Sequence, residues 1–146
     1  MSSAIGEFVI ALRAALKADA GVAAIVGAKV FDVVPGDKRG MPDDALAPWI
    51  YIGPVSAPRS EDECLRAWAP RVRIYCATTD FDRQSVWALA DAVDAALDQK
   101  TLTLANGFTM ASALRAVESG DVIDPLSPRL AYCDFTCTIY RNTPFQ

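Results

Sequence analysis

From Arg129 to Arg141 the chain alternates without a break: Ala131, Cys133, Phe135, Cys137 and Ile139 fall on one side, and Tyr132, Asp134, Thr136, Thr138 and Tyr140 on the other. A two-residue period is what a β-strand needs to bury one face and present the other. The pattern recurs at Leu65–Ala77, where Val72, Ile74 and Cys76 oppose Arg71, Arg73 and Tyr75. It recurs again at Trp49–Val55, where Ile50 and Ile52 oppose Trp49 and Tyr51. Strands of this kind commit a chain to a sheet with one face on the core and the other left open.

Two stretches of helical period supply the cover. Between Ala4 and Lys17 the apolar residues Ile5, Phe8, Val9, Leu12, Ala15 and Leu16 make one stripe, and Glu7, Arg13 and Lys17 lie off it. A second helix begins after Asp80 and runs to about Gln99, with Val86, Leu89, Ala90, Val93, Ala96 and Leu97 on its buried arc. Asp19 is placed to cap a short turn that runs to Val26 and closes at Gly27. Lys29–Val34 reads as a first strand, Pro35–Pro48 as a long loop and Ser56–Glu63 as a polar connection. Thr101–Ala105 and Phe108–Ala113 read as a hairpin about Asn106-Gly107, a pair that supplies the positive φ values of a type I′ turn. Arg115–Leu126 reads as the end of that strand followed by a loop. The expected fold is a single α+β domain over residues 1–146. It has a mainly antiparallel sheet with two long helices on one face, in the order α-β-β-β-α-β-β-β.

Composition narrows the function. At 146 residues, 52% of them hydrophobic, there is core enough for one domain and no room for a second. The net charge of −4 argues against a broad electrostatic grip on nucleic acid. Glu7 and Arg13 interrupt the N-terminal apolar run, which falls short of the roughly 18 residues of a membrane span. That run also lacks a basic leader, so a cytoplasmic start is expected. The chain has no histidine, which removes Ser-His-Asp and Cys-His pairs together with the commonest general base and metal ligand. The glycines show no phosphate-loop spacing. Neither catalytic residues nor a cofactor are expected. Cys133 and Cys137, four apart on one strand, stand roughly 13 Å from each other, beyond the about 7 Å a disulfide tolerates. Cys64, Cys76, Cys133 and Cys137 are read as small buried hydrophobes without a metal.

Binding is better supported than chemistry. The open sheet face is expected to present Trp49, Tyr51, Arg71, Arg73, Tyr75, Tyr132 and Tyr140, a composition enriched at protein contacts. An RNA-binding sheet is the competing explanation, opposed by the acidic balance and the lack of an RNP-type motif. Trp87 falls on the polar arc of the second helix with Asp91, Asp94 and Asp98; it either laps over the sheet edge or makes a subunit contact. A small-ligand-binding module remains an alternative, to be marked by a deep apolar pocket with convergent polar groups.

The run Asp19-Ala20-Gly21-Val22-Ala23-Ala24-Ile25-Val26-Gly27, then Val30-Phe31-Asp32-Val33-Val34-Pro35, then Pro48-Trp49-Ile50-Tyr51-Ile52-Gly53, resembles the tail-completion or tail-terminator proteins of long-tailed bacteriophages and gene transfer agents. The likeness continues through Arg71-Val72-Arg73-Ile74-Tyr75, the helix after Asp80 and the final strand; Ser56–Trp68 departs from it. The resemblance implies a non-catalytic virion subunit that forms a six-membered ring at the head-proximal end of the tail tube. Its partners would be its own copies, the tube protein and the head-tail connector, with no sequence-specific nucleic acid and no membrane. A head-to-tail adaptor is the alternative within the same particle. Since DNA must pass through such a ring, Asp91, Asp94 and Asp98 are a candidate channel lining.

Overall fold

The computed structural model describes residues 3–32, 47–62, 65–78, 83–122 and 129–141. Its elements are α1 (Ala4–Ala18), α2 (Ala20–Val26), β1 (Val30–Phe31), β2 (Trp49–Ser56), β3 (Arg59–Asp62), β4 (Leu65–Trp68), β5 (Arg71–Thr78), α3 (Arg83–Leu97), β6 (Phe108–Met110), β7 (Arg115–Val122), β8 (Arg129–Thr136) and β9 (Ile139–Arg141). The fold is α+β with mostly antiparallel pairing, as expected, but the expected pair of helices is corrected to three among the described residues. Asp19 is the reason. Its backbone N–H bonds Ala15 at the end of α1, and its carboxylate accepts from the N–H of Val22 at 3.0 Å, so one residue ends a helix and starts the next. Val22 and Val26, four apart, then bury one face of α2, and Gly27 closes it at φ 63°.

The strands form two sheets instead of one. Among the described residues, five lie in the order β1-β2-β5-β8-β7 and four in the order β3-β4-β9-β6, and only the short β1–β2 pair is parallel. Two long alternating runs were expected to be single strands, and each bends from one sheet into the other. The first breaks at Ala69-Pro70, between β4 and β5, and the second at Cys137-Thr138, between β8 and β9. Pro70 has no N–H for a ladder, and its free carbonyl accepts from the Cys137 N–H at 3.3 Å and the Thr136 hydroxyl at 3.1 Å. The two bends are thereby pinned together.

Three further expectations change. Ser56–Glu63 is not wholly a connection, since Arg59–Asp62 pairs with β4. Arg115–Val122 is a strand of its own on the sheet edge, not the tail of a hairpin arm. At Asn106-Gly107 both φ values are positive, 59° and 82°, as the turn requires. Its first arm is irregular, however, and Phe108–Met110 pairs with β9. Most of the Pro35–Pro48 loop, the Asp80 cap and Cys64 lie outside the described residues.

The core sits between the helices and the inner face of the five-stranded sheet. Phe8, Leu12 and Leu16 of α1 and Val86, Leu89, Val93 and Leu97 of α3 meet Ile50, Ile74, Cys76, Cys133 and Phe135, all buried. Each large apolar side chain so buried contributes about 1.5–3 kcal/mol before the entropy of ordering is subtracted. The three described cysteines, Cys76, Cys133 and Cys137, belong to this core. A hydrogen bond with Cys133, then burial, pushes the Cys76 thiol well up, and burial pushes Cys137 up to about 12, so neither is a nucleophile at neutral pH.

Just past the end of α3 stands Gln99, whose φ of 64° is a conformation that favours glycine. Two backbone bonds of 2.8 Å, Gln99 N–H to Leu114 and Leu114 N–H to Lys100, hold the exit in place. Gln99→Gly is therefore expected to stabilise the fold by roughly 1 kcal/mol, read as a higher urea midpoint at unchanged slope.

A candidate inter-subunit surface on the open sheet face

Register places the outward side chains of the five-stranded sheet in rows across the strands. The first row is Trp49, Ala77, Leu130 and Val122; the second is Tyr51, Tyr75, Tyr132 and Gly120. The third is Arg73, Asp134 and Glu118, and the fourth is Ser56, Arg71, Thr136 and Arg115. The face thus grades from apolar to charged along the strand direction.

In the aromatic row the rings lie along the sheet. Tyr51 and Tyr75 stack at 4.8 Å with planes 13° apart. A Cβ added at Gly53 would meet the Tyr75 ring at 2.7 Å and the Arg73 carbonyl at 2.8 Å, and one at Gly120 would meet the Tyr132 ring at 2.9 Å. Each glycine is the floor on which a tyrosine lies. Burial, then the neighbouring Tyr75, raises the Tyr51 hydroxyl above its ordinary range.

The charged row is held by Asp134, only 1% exposed. Its carboxylate accepts from Arg73 Nε at 2.9 Å, Arg73 Nη2 at 3.0 Å and Arg71 Nη2 at 3.1 Å. Burial pushes this carboxyl up, but the hydrogen bonds from Arg73 and Arg71 and then their charges outweigh it and hold the group below the ordinary range. The same bond raises Arg73 further. The Arg73 guanidinium lies 4.0 Å from the Tyr132 ring centre. Tyr132 in turn donates to Glu118 at 2.9 Å, which is the main reason its hydroxyl is raised. Glu118 also comes within 3.6 Å of Arg71.

Of the residues expected on this face, Tyr51, Arg71, Arg73, Tyr75 and Tyr132 come together there. Trp49 has the right side but is 2% exposed, tilted against Tyr51 at 5.7 Å, with its indole N–H unpaired among the described residues. Its expected outward presentation is corrected: at the apolar end of the face Trp49 and Ala77 are buried within the subunit, while Val122 on the edge strand stays exposed. Tyr140 belongs to the other sheet, between Ala67 and Thr109. Trp87 donates its indole N–H to Asp121 of the edge strand β7 at 3.1 Å and packs against the core, which is the sheet-edge reading of that residue. On α3, Asp91 is exposed, and Asp98 accepts the N–H of Ala116 at 3.0 Å. Asp94 is raised by burial and then by the charges of Asp98 and Asp91. Sequence reasoning missed Asp134 and Glu118. An aspartate at the same parity as Tyr132 in a strand facing Arg71 and Arg73 was the available signal for the first. Glu118 was hidden by the reading of its segment as loop.

No group of His, Cys, Asp or Glu able to hold a metal occurs among the described residues, and no described helix is long and apolar enough to cross a membrane. What the face offers is a surface of aromatic and charged side chains held in place within the subunit, with no catalytic constellation among the described residues. The family model described as "Tail completion protein gp17" matches residues 10–140, and the chain belongs to that family. No curated protein matches it. Among solved structures, a chain of the "Virion of native gene transfer agent (GTA) particle" has the same fold, with a TM-score of 0.81 at 23% identity over 96% of this chain and 99% of that one. The protein is accordingly a tail-associated structural subunit and not an enzyme.

Asp134→Asn removes the charge and one of the two acceptor oxygens that Arg71 and Arg73 share and turns an NH2 donor toward them. With those guanidiniums 47% and 38% exposed, water softens the loss. The expected destabilisation is roughly 2 kcal/mol at neutral pH. Because the folded carboxyl lies below its unfolded value near 3.9, the difference from the parent chain stays constant above about pH 4. It shrinks as pH falls through the folded value, and denaturation at a series of pH values checks this.

Proposed function

We propose that this subunit assembles with its own copies into a closed ring, a hexamer, at the head-proximal end of the tail tube, where it ends tube growth and receives the head connector. The observation that carries the reading is the family match across nearly the whole chain. The likeness to a gene transfer agent virion chain supports it at the level of fold. The outer sheet face supports a subunit contact: Tyr51, Arg73, Tyr75 and Tyr132 are half-buried and held in place before any partner arrives. On this reading the partners are sister copies, the tube protein and the head-tail connector. DNA is a passenger without sequence-specific contacts, no membrane is involved, and assembly takes place in the host cytoplasm.

Deleting the gene tests the reading directly. Tails that grow beyond their normal length, measured in negative-stain images, are the expected result. Tails of normal length that fail to join heads would replace termination by an adaptor role.

The aspartates of α3 are proposed to face the channel, where carboxylates repel phosphate within about 10 Å at moderate salt. Asp98 also caps a backbone N–H, so the clean substitution is Asp91→Lys with Asp94→Lys. Particles carrying both are expected to assemble and to eject DNA more slowly at low ionic strength. Unchanged ejection kinetics would remove the aspartates from the channel.

A further inference from the structure

The two sheets share a spine, since β4 runs on into β5 and β8 into β9 through the bends at Ala69-Pro70 and Cys137-Thr138. β2 and its continuation β3 flank that spine on the β4–β5 side, and β7 and β6 flank it on the β8–β9 side. On the first side β1 covers only Ile50 and Tyr51, and β3 ends its sheet with no strand beyond it among the described residues. On the opposite side β7 ends the other sheet in the same way. Because β5 is antiparallel to β2 and to β8, and β8 to β7, β7 runs with β5 and against the β2–β3 run. The open length of β7 is defined. Its start is engaged, with the Ala116 N–H donating to Asp98 at 3.0 Å and Leu114 bonded to Gln99 and Lys100. The ladder with β8 shifts at Val117, and Glu118–Val122 then keeps a regular register. Exposed edges are ordinarily guarded by lysine, proline or free charge. Glu118–Val122 has no lysine or proline, and its two carboxylates are bound within the subunit, Glu118 by Tyr132 and Asp121 by Arg83 and Trp87.

We propose that β3 of a neighbouring copy pairs antiparallel with Glu118–Val122 of β7, so that each copy extends its neighbour's sheet through backbone hydrogen bonds. Resting on the ring proposed above, this pairing names how its copies join. A closed ring needs two unlike contact surfaces on each copy, and the β3 and β7 edges are unlike and lie on opposite sides. The rotation between neighbours in a six-membered ring is too small to reverse a strand. β3 of one copy therefore meets β7 of the next in the antiparallel sense that the two strands have within one subunit. The lengths agree, since β3 has 4 residues to set against Glu118–Val122. The edge is also continuous with the tyrosine and arginine rows of the outer face, which end on β7 at Gly120 and Glu118. Two β7 edges paired with each other would close a dimer and leave no ring.

Thiol cross-linking in purified tails tests the pairing. The background carries Cys64→Ser, and the remaining cysteines, Cys76, Cys133 and Cys137, are buried. Glu61→Cys and Ser119→Cys place one thiol near the middle of each strand, and a short bismaleimide bridges them without demanding one exact register. The double variant is expected to give a ladder of covalent species at multiples of the subunit mass, up to the closed ring. Each single variant is expected to stay monomeric on the gel, and tails that contain both single variants to give dimers and nothing longer. Should the double variant fail to assemble, the mixed single variants decide. Dimers from Ser119→Cys alone would overturn the proposal in favour of like edges pairing, and links only to a different tail protein would give the edge to that protein. Unlinked subunits in tails whose averaged images show the ring would overturn the pairing and leave the ring standing. Unlinked subunits with no ring would overturn both.

Discussion

The ladder between β5 and β8 runs unbroken from Arg71 opposite Thr136 to Thr78 opposite Arg129, and its register sets both faces of the sheet at once. On the inner side Val72, Ile74, Cys76, Ala131, Cys133 and Phe135 close the core under the helices. On the outer side the same pairing puts Asp134 opposite Arg73 and two residues from Arg71. A slip of one residue would send two guanidiniums and a carboxylate into the apolar layer. Burying Asp134 nearly completely is tolerable only because three charge-assisted hydrogen bonds reach it from the neighbouring strand. Core and open face are therefore fixed by one decision.

Much of this was legible in the alternation. Ile50, Ile74, Cys133 and Phe135 were placed inward and Tyr51, Arg73, Tyr75 and Tyr132 outward from parity alone, and the α3 stripe from Val86 to Leu97 is the buried one. What failed was where strands end. Parity continues through Ala69-Pro70 and through Cys137-Thr138 because Trp68 and Ile139 keep packing on the same core after the bend. A period of two thus carries no sign of a change of sheet. Pro70 was the only local mark, and its meaning depends on a partner strand far away in sequence. The Asn106-Gly107 turn fared similarly. Its backbone geometry is local and was readable, while the choice of β9 as the partner of Phe108–Met110 is tertiary.

Trp49 illustrates a different limit. Parity assigns a side of the sheet, and Trp49 lies on the side it was given, across from Ala77. Exposure depends on what else covers that side, and here Trp49 and Ala77 are covered within the subunit while the tyrosine and arginine rows remain partly open. A patch of mixed polarity is what remains, half-buried and internally bonded. Fixing Tyr75 over Gly53 and Tyr132 over Gly120 removes rotamer freedom that a contact would otherwise have to freeze.

The electrostatics of that patch constrain how it can act in an assembly. Arg71 and Arg73 are neutralised by Asp134 and Glu118 within one bonded cluster, and Arg115 on the edge strand leaves the described rows only a small positive excess to steer a partner. Association there would draw on ring area and shape, and would respond weakly to salt. The chain's excess of acid must then reside elsewhere, and α3, on the opposite side of the sheet, holds Asp91 and Asp94 outside any such neutralising cluster. A closed ring requires two unlike patches per copy and a third surface turned to the lumen. In the ring proposed above, the aromatic face would supply one of the two patches and the acidic helix the lumen surface, and their places on opposite sides of one sheet keep the two purposes apart.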